Sequence, residues 1–214
     1  MRVSAIVLAG GRSRRFGSDK LAAELDGASL LSATVAPVTP LVDRVTVAVA
    51  RLSDELLAAE VPVVLVHDRE PFGGPLAALA NVLEQAVDLD PEMDLAIVVG
   101  GDMPRLVPSV LRAMIERLQA DPFLEAVILE SPDAARRQVL PLALRAGPAR
   151  RSAREVLALE DRSLRLLVDR LRTVELPVAV WRPLDPEGRT LADVDTPADL
   201  ERLRSGAVER ERSG

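Results

Sequence analysis

Short apolar runs and amphipathic stretches alternate along this chain. Val3 to Ala9 is apolar and β-branched in part, and it stops at Gly10-Gly11, which predicts a buried strand ending at a tight loop. Val45 to Val49 predicts a second strand, and Arg51 to Glu60 a helix. Val61 to Val66 predicts a third strand with Pro62 near its start. Gly74-Pro75 opens a helix in which Leu76, Leu79, Ala80, Leu83 and Val87 share one face. Leu95 to Val99 is apolar at every position, as in a strand covered on both faces. Val107, Val110, Leu111, Met114, Ile115 and Leu118 form another helical stripe, with Pro108 in its first turn, and Ala126 to Leu129 follows as a strand. Strand–helix alternation of this kind predicts an α/β chain with a parallel or mostly parallel sheet and helices on both faces.

Beyond Glu130 the pattern changes. Val139 to Leu144 reads as a strand that Pro141 restricts to an edge or an end. Helices are expected near Ala149 to Leu159 and Ser163 to Leu171, and a late strand at Val178 to Trp181. Thr196-Pro197-Ala198-Asp199 reads as an N-cap, a proline at the first helical position and an acid in the first turn. Residues 1–205 are expected to form one domain, and residues 206–214, rich in charge, a disordered tail.

Composition narrows the function. With 48% hydrophobic residues and only Phe16, Phe72, Phe123 and Trp181 as aromatics, the core must be aliphatic. A net charge of −6 and no basic patch interleaved with aromatics argue against nucleic acid and anionic membranes as partners. The absence of cysteine excludes disulfides and thiolate metal sites and is compatible with the cytoplasm. The N-terminal apolar run is too short to span a membrane.

In open α/β sheets, ligands bind outside the carboxyl ends of the strands, so the residues after each run are the candidates. After the first strand, Arg12, Arg14, Arg15 and Lys20 follow Gly10-Gly11. Glycines without Cβ permit close approach, and free N–H groups in such a loop form an anion-binding nest. The loop suits a polyphosphate, with a basic surface turn as the plainer alternative. It is neither a Walker loop, since Lys20 stands between Asp19 and Leu21, nor a dinucleotide fingerprint, since Arg12 takes the second glycine position. Gly100-Gly101-Asp102 places a carboxylate after the most apolar strand, where it could bind a hard divalent ion or simply cap the next helix. Asp193 and Asp195 alternate, so an extended segment turns both carboxylates to one side; Asp195 alone would also suit a turn before Thr196. His67 is the only histidine and receives no role.

The string Leu8-Ala9-Gly10-Gly11, with Arg15, Gly17, Asp19 and Lys20 at matching spacing, resembles the signature of the molybdenum cofactor guanylyltransferase family, and Phe16 stands where that family usually has Met. Asp102-Met103-Pro104 is similar to its Asp-x-Pro, with Gly101 in place of a frequent cysteine. Asp193-Val194-Asp195-Thr196-Pro197 is similar to its Asn-x-Asn-Thr-Pro or Asp-x-Asp-Thr-Pro, an aspartate form shared with cytidylyltransferases. Asp68 followed by Gly74-Pro75-Leu76 is a further match, whereas Ala48 stands where the family often has Asn. Arg137 to Leu142 and Asp161 to Leu164 resemble the region around the pterin acceptor.

The resemblance implies a Rossmann-like three-layer α/β/α sandwich with a mostly parallel mixed sheet. It implies transfer of GMP from GTP to a molybdopterin-type acceptor, with loss of pyrophosphate and without a protein nucleophile. Arg15, Lys20 and Asp102 would be catalytic. Leu8, Ala9, Gly10, Gly11, Lys20, Asp68, Gly74 and Asp102 would bind the nucleotide, and Asp102 and Asp195 would hold Mg2+. A molybdoenzyme or another cofactor-synthesis protein would be the partner. The rival readings are a cytidylyltransferase or other nucleotidyltransferase of the same fold, and a catalytically silent nucleotide-binding accessory protein.

Overall fold

The computed structural model describes residues 1–10, 16, 20–49, 63–67, 73–133, 137–159 and 162–211, the last six of these by backbone alone. Strand β1 (Arg2–Leu8) is an interior strand of a seven-stranded sheet. A 3-10 turn (Lys20–Ala22), a small hairpin of β2 (Glu24–Leu25) and β3 (Ala28–Ser29), and helix α1 (Leu30–Val38) follow it. Next come β4 (Arg44–Val49), β5 (Val64–His67), α2 (Pro75–Leu89), β6 (Met93–Gly100), α3 (Pro108–Ala120) and β7 (Ala126–Leu129). The chain closes with β8 (Leu142–Arg145), α4 (Ala146–Leu157), α5 (Leu164–Arg170), β9 (Thr173–Leu176), the single turn α6 (Val178–Trp181), and α7 (Pro197–Glu211).

The sheet order is β5-β4-β1-β6-β8-β7-β9, and β8 alone runs antiparallel to its neighbours. The fold is thus α/β with a mostly parallel mixed sheet. Period-2 alternation sorts the apolar residues of the central strands. Val3, Ala5, Val7, Leu95, Ile97 and Val99 face the layer of α1 and α3, while Ile6, Ala96 and Val98 face α2, α4 and α5. Both faces are covered, which explains why Leu95 to Val99 shows no polar position.

Register brings the strand ends into line. Leu8 pairs with Ala48 on one side and Gly100 on the other, and Val49 pairs with His67, so β1, β4, β5 and β6 stop at one edge. Ala9 N–H donates to the Ala48 carbonyl at 2.8 Å and Gly101 N–H to the Leu8 carbonyl at 2.9 Å, extending the ladder one residue beyond.

Three expectations are corrected, and one choice between alternatives is decided. Val178 to Trp181 is a helical turn, not a strand. Pro177 starts it, Val178 N–H donates to the Glu130 carboxylate at 2.6 Å, and the buried Trp181 indole donates to the Glu130 carbonyl at 3.1 Å. The strand is instead the preceding Thr173–Leu176. Of the two places expected for Pro141, it takes the end of its strand and not the sheet edge: β8 begins one residue later, so no ladder N–H is missing, and it sits between β6 and β7. Val87 does not share the buried face of α2; with Leu89 it is exposed in the last turn. Helix α7 continues through Gly206 to Glu211, where a tail is expected, over a stretch in which Ala, Glu and Arg favour helix. The expected helix at Arg51 to Glu60 lies outside the described residues.

Candidate active site

The aligned strand ends present three segments to one place. Lys20 opens the 3-10 turn, Asp102 stands two residues past the end of β6, and Asp195 precedes α7. The Lys20 Nζ donates to Asp102 Oδ2 at 2.7 Å and to Asp195 Oδ1 at 3.2 Å. Lys20 is 8% exposed, unusual for an ammonium, and the Asp102 and Asp195 side chains are 29% and 56% exposed. The arrangement is a buried cation below two carboxylates that open to solvent.

Local structure fixes each of these groups. Asp102 follows Gly100, where a Cβ would come within 2.5 Å of Asp102 Oδ1, so only glycine leaves the carboxylate its present position. The Gly101 N–H is held by Leu8 and its carbonyl by the buried Thr34 hydroxyl of α1 at 3.1 Å. The Asp102 carbonyl accepts from Val194 N–H at 2.9 Å, which stitches the Asp193–Asp195 segment to the end of β6. Val194 itself is buried in a small separate core with Leu25, Leu30 and Leu200, joined by Phe16, Ala23 and Leu203. That core lies under the hairpin and α7. With Val194 turned inward, Asp193 and Asp195 face the other way, as strict alternation requires.

Electrostatics follow from three acids facing one base. Burial alone would lower the pKa of the Lys20 ammonium; the hydrogen bonds and charges of Asp102 and Asp195 together outweigh it and raise the value above 10.5. Lys20 therefore stays charged at any physiological pH. The Asp193 carboxyl is raised above the ordinary 3.8, first by desolvation and then by the negative charges of Asp195 and Asp102. This is the mark of acid left in excess.

The other sequence candidates fall as follows. Leu8, Ala9 and Gly10 sit half-buried at the end of β1, with the Leu8 carbonyl and Ala9 N–H already engaged in the extended ladder. Gly74 caps α2 at a φ of 91°, a left-handed conformation that favours glycine, and a Cβ there would meet nothing within 4 Å. Gly11, Arg15 and Asp68 lie outside the described residues. Ala48 is fully buried in the core beneath α2. Arg137 pairs with Asp169 and with Glu175, and the Gln138 amide donates to the Leu191 carbonyl at 3.1 Å. The structure thus joins Lys20, Asp102 and Asp195 and adds Asp193 beside them. The supports from Thr34 and Val194 carry no local sequence signal, because each spans more than sixty residues of chain.

The model of the MobA-like NTP transferase domain matches residues 5–174. A probable molybdenum cofactor guanylyltransferase of Chloroflexus aggregans is 32% identical over 209 residues, covering 96% of this chain and 95% of that protein. One of Mycobacterium avium is 32% identical over 205 residues and 95% of each chain. Among solved structures, molybdopterin-guanine dinucleotide biosynthesis protein A from Archaeoglobus fulgidus superposes with a TM-score of 0.77 at 21% identity, over 96% of this chain and 99% of that one. The 4-diphosphocytidyl-2C-methyl-D-erythritol synthase of Anaerococcus prevotii gives 0.72 at 16% identity, over 97% and 96%. These two share the fold. With a family model over most of its length and relatives aligned end to end, the chain belongs to the MobA-like NTP transferase family and is a nucleotidyltransferase.

Proposed function

We propose that this nucleotidyltransferase moves GMP from GTP to a molybdopterin-type acceptor in the cytoplasm, releasing pyrophosphate. The observation that carries the reading is the convergence of Asp102 and Asp195 on the Lys20 ammonium at the edge where β1 and β6 end. Relatives aligned over 95% or more of this chain and named as probable molybdenum cofactor guanylyltransferases support the choice of base and acceptor.

In this reading a phosphate oxygen of the acceptor attacks the α-phosphorus of GTP. A P–O bond forms as the bond to the bridging oxygen breaks, and pyrophosphate leaves with the electron pair. No protein nucleophile is required, so the chain contributes position and charge. By the family resemblance, Gly10 and Gly11 would offer backbone N–H groups to the phosphates, and Leu8 and Ala9 would border the nucleoside. Asp68 and Gly74 would border the nucleoside from the β5 side. Lys20 would turn its ammonium from the carboxylates to the phosphates, and Arg15 would add a second cation.

Mg2+ fits the donor set. Two hard carboxylates reach one cation-sized position, held here by an ammonium. Among the described residues no three metal-ligating side chains gather at one point. Mg2+ needs only one or two carboxylates and completes its shell from water and phosphate oxygens. Asp102 and Asp195 would hold the ion, which when bound offsets negative charge on the phosphates. Among the described residues no helix is long and apolar enough to cross a membrane.

The test is pyrophosphate release from purified protein with Mg2+, molybdopterin and GTP, CTP or ATP in turn. Release that requires the acceptor and is fastest with GTP is expected. A site built on hydrogen bonds rejects the wrong base strongly, so the preference should be large. CTP turned over at least as fast as GTP would overturn the guanylyltransferase reading.

A further inference from the structure

Asp195 is the more exposed of the two carboxylates bonded to Lys20, and it lies outside the sheet, in the connection before α7. What holds it is a second carboxylate four residues on. Asp199 Oδ2 accepts from the Asp195 N–H at 3.0 Å, from the Thr196 N–H at 2.7 Å and from the Thr196 hydroxyl at 2.8 Å. The Thr196 hydroxyl in turn accepts from the Asp199 N–H at 3.2 Å. The other oxygen, Oδ1, is taken by Arg202 one turn along the helix. The Thr196–Asp199 exchange is a capping box. The bond to Asp195 is additional to a capping box, because that N–H precedes the cap.

We propose that Asp199 is a positioning residue for the transfer reaction, fixing the backbone of Asp195 so that its carboxylate meets Lys20 and the reacting phosphates. The proposal rests on the reading of Asp195 as a site residue given above. The segment is held at three points. Val194 N–H is bonded to the Asp102 carbonyl, the Val194 side chain is buried with Leu25, Leu30 and Leu200, and Asp195 N–H is bonded to Asp199. The first two fix where the segment runs. The third fixes the rotation of the Asp195 peptide, and with it the direction of the side chain. Asp199 also holds its charge to low pH, because the Thr196 hydroxyl bond and the backbone N–H groups of Thr196 and Asp195 favour the carboxylate. The acceptor is therefore present wherever the enzyme works.

Asp199→Ala and Thr196→Ala separate positioning from helix capping. Both remove half of the capping box, but only the first removes the acceptor for Asp195 N–H. In Asp199→Ala we expect kcat to fall at least tenfold with the KM for GTP within about threefold, since the loss falls on an interaction used as the transition state forms. Thr196→Ala should lose a similar amount of thermal stability and keep kcat within about threefold. Asp199→Glu, which keeps charge and acceptor, should restore kcat. Independently of activity, amide hydrogen exchange at Asp195 should quicken at least tenfold in Asp199→Ala, while amides in the middle of α7 stay protected. Parallel loss of kcat in the two alanine variants, or full kcat in Asp199→Ala, would overturn the proposal. So would unchanged exchange at Asp195. Asp195→Ala distinguishes the two ideas. If it is as active as the parent, the assignment of Asp195 fails and the positioning role falls with it; if it is impaired while Asp199→Ala is not, only the positioning role fails.

Discussion

The two ends of the central sheet both carry clustered charge, and they differ in how that charge is satisfied. At the amino edge, Asp90 accepts from the buried Ser4 hydroxyl at 2.6 Å and lies 3.9 Å from both Arg2 Nε and Arg44 Nε. Asp43 accepts from Val3 N–H at 3.0 Å, Asp94 from Arg2 N–H at 2.9 Å, and Glu92 pairs with the Arg2 guanidinium. Each acid there has a donor of its own. At the carboxyl edge, one buried ammonium serves both Asp102 and Asp195, and Asp193 stands beside them with its carboxyl pushed up. The first cluster is closed and holds strands together. The second has surplus negative charge that opens to solvent, which a stability role alone would not require and a cation with phosphates would offset.

Substitution at matched acids is the strongest way to break this contrast. Asp102→Ala should lower kcat on the order of a thousandfold, as for other preorganised electrostatic groups, and should lower Tm as well. Its removal relieves repulsion on Asp193 but takes from the buried Lys20 ammonium the shorter of its two hydrogen bonds. Near-parental turnover at ordinary Mg2+ would end its catalytic assignment. Next in size is Lys20→Ala, where kcat should fall about a hundredfold and exceed any rise in KM. A change confined to KM would make Lys20 a binding residue only. The raised Lys20 pKa means its contribution to stability is present below 10.5 and lost only as pH climbs through the folded-state value. Loss of Lys20 should therefore lower Tm throughout the neutral range, and millimolar Mg2+ should recover more of it than in the parent. Asp90→Ala is the mirror case. It strands the Ser4 hydroxyl and takes a carboxylate from beside Arg2 and Arg44, and should cost about 2 kcal/mol of stability while leaving kcat unchanged.

The sequence made the carboxyl edge legible because its chemistry is local. Gly10, Lys20 and Asp102 follow strands that hydrophobic runs reveal, the Asp193–Asp195 alternation is visible in itself, and the register of β1 with β6 brings the ends of those two strands level. The hairpin at Asp26-Gly27 was also there to be read. Asp-Gly is a strong hairpin signal, and both residues adopt positive φ, at 53° and 81°. The capping box at Thr196 and Asp199 is likewise visible as a cap, though its reach back to Asp195 is not. Topology was the harder part. Nothing local says that β8 enters between β6 and β7 antiparallel, or that Val178 to Trp181 folds into a turn against Glu130. Those outcomes depend on partners about fifty residues away, and β-propensity gives way to such contacts.

The smallest expected effect is also the one that most directly measures surplus charge. Asp193 is exposed, yet neighbouring Asp195 and Asp102 add to desolvation in raising its carboxyl above 3.8. A folded-state value above the unfolded one means that folding favours the protonated form. The stability this gives is fully present below 3.8 and is lost as pH rises through the folded-state value. At pH 7 the ionised group is therefore a net cost, and Asp193→Asn should raise Tm by on the order of 1 °C. The gain should shrink as pH falls from 7 toward 4, because the parent then sheds the same charge by protonation. It should also shrink with Mg2+ and GTP present, since bound cation supplies the opposite charge instead. Asp199, in the same loop, has the opposite sign: its carboxyl is held below 3.8, so Asp199→Asn should lower Tm at pH 7 and the difference should fade on acidification. Thermal melts of both variants between pH 4 and 7 check the pair. A Tm loss in Asp193→Asn at pH 7, or a gain independent of pH, would mean that the carboxyl edge is as closed as the amino edge.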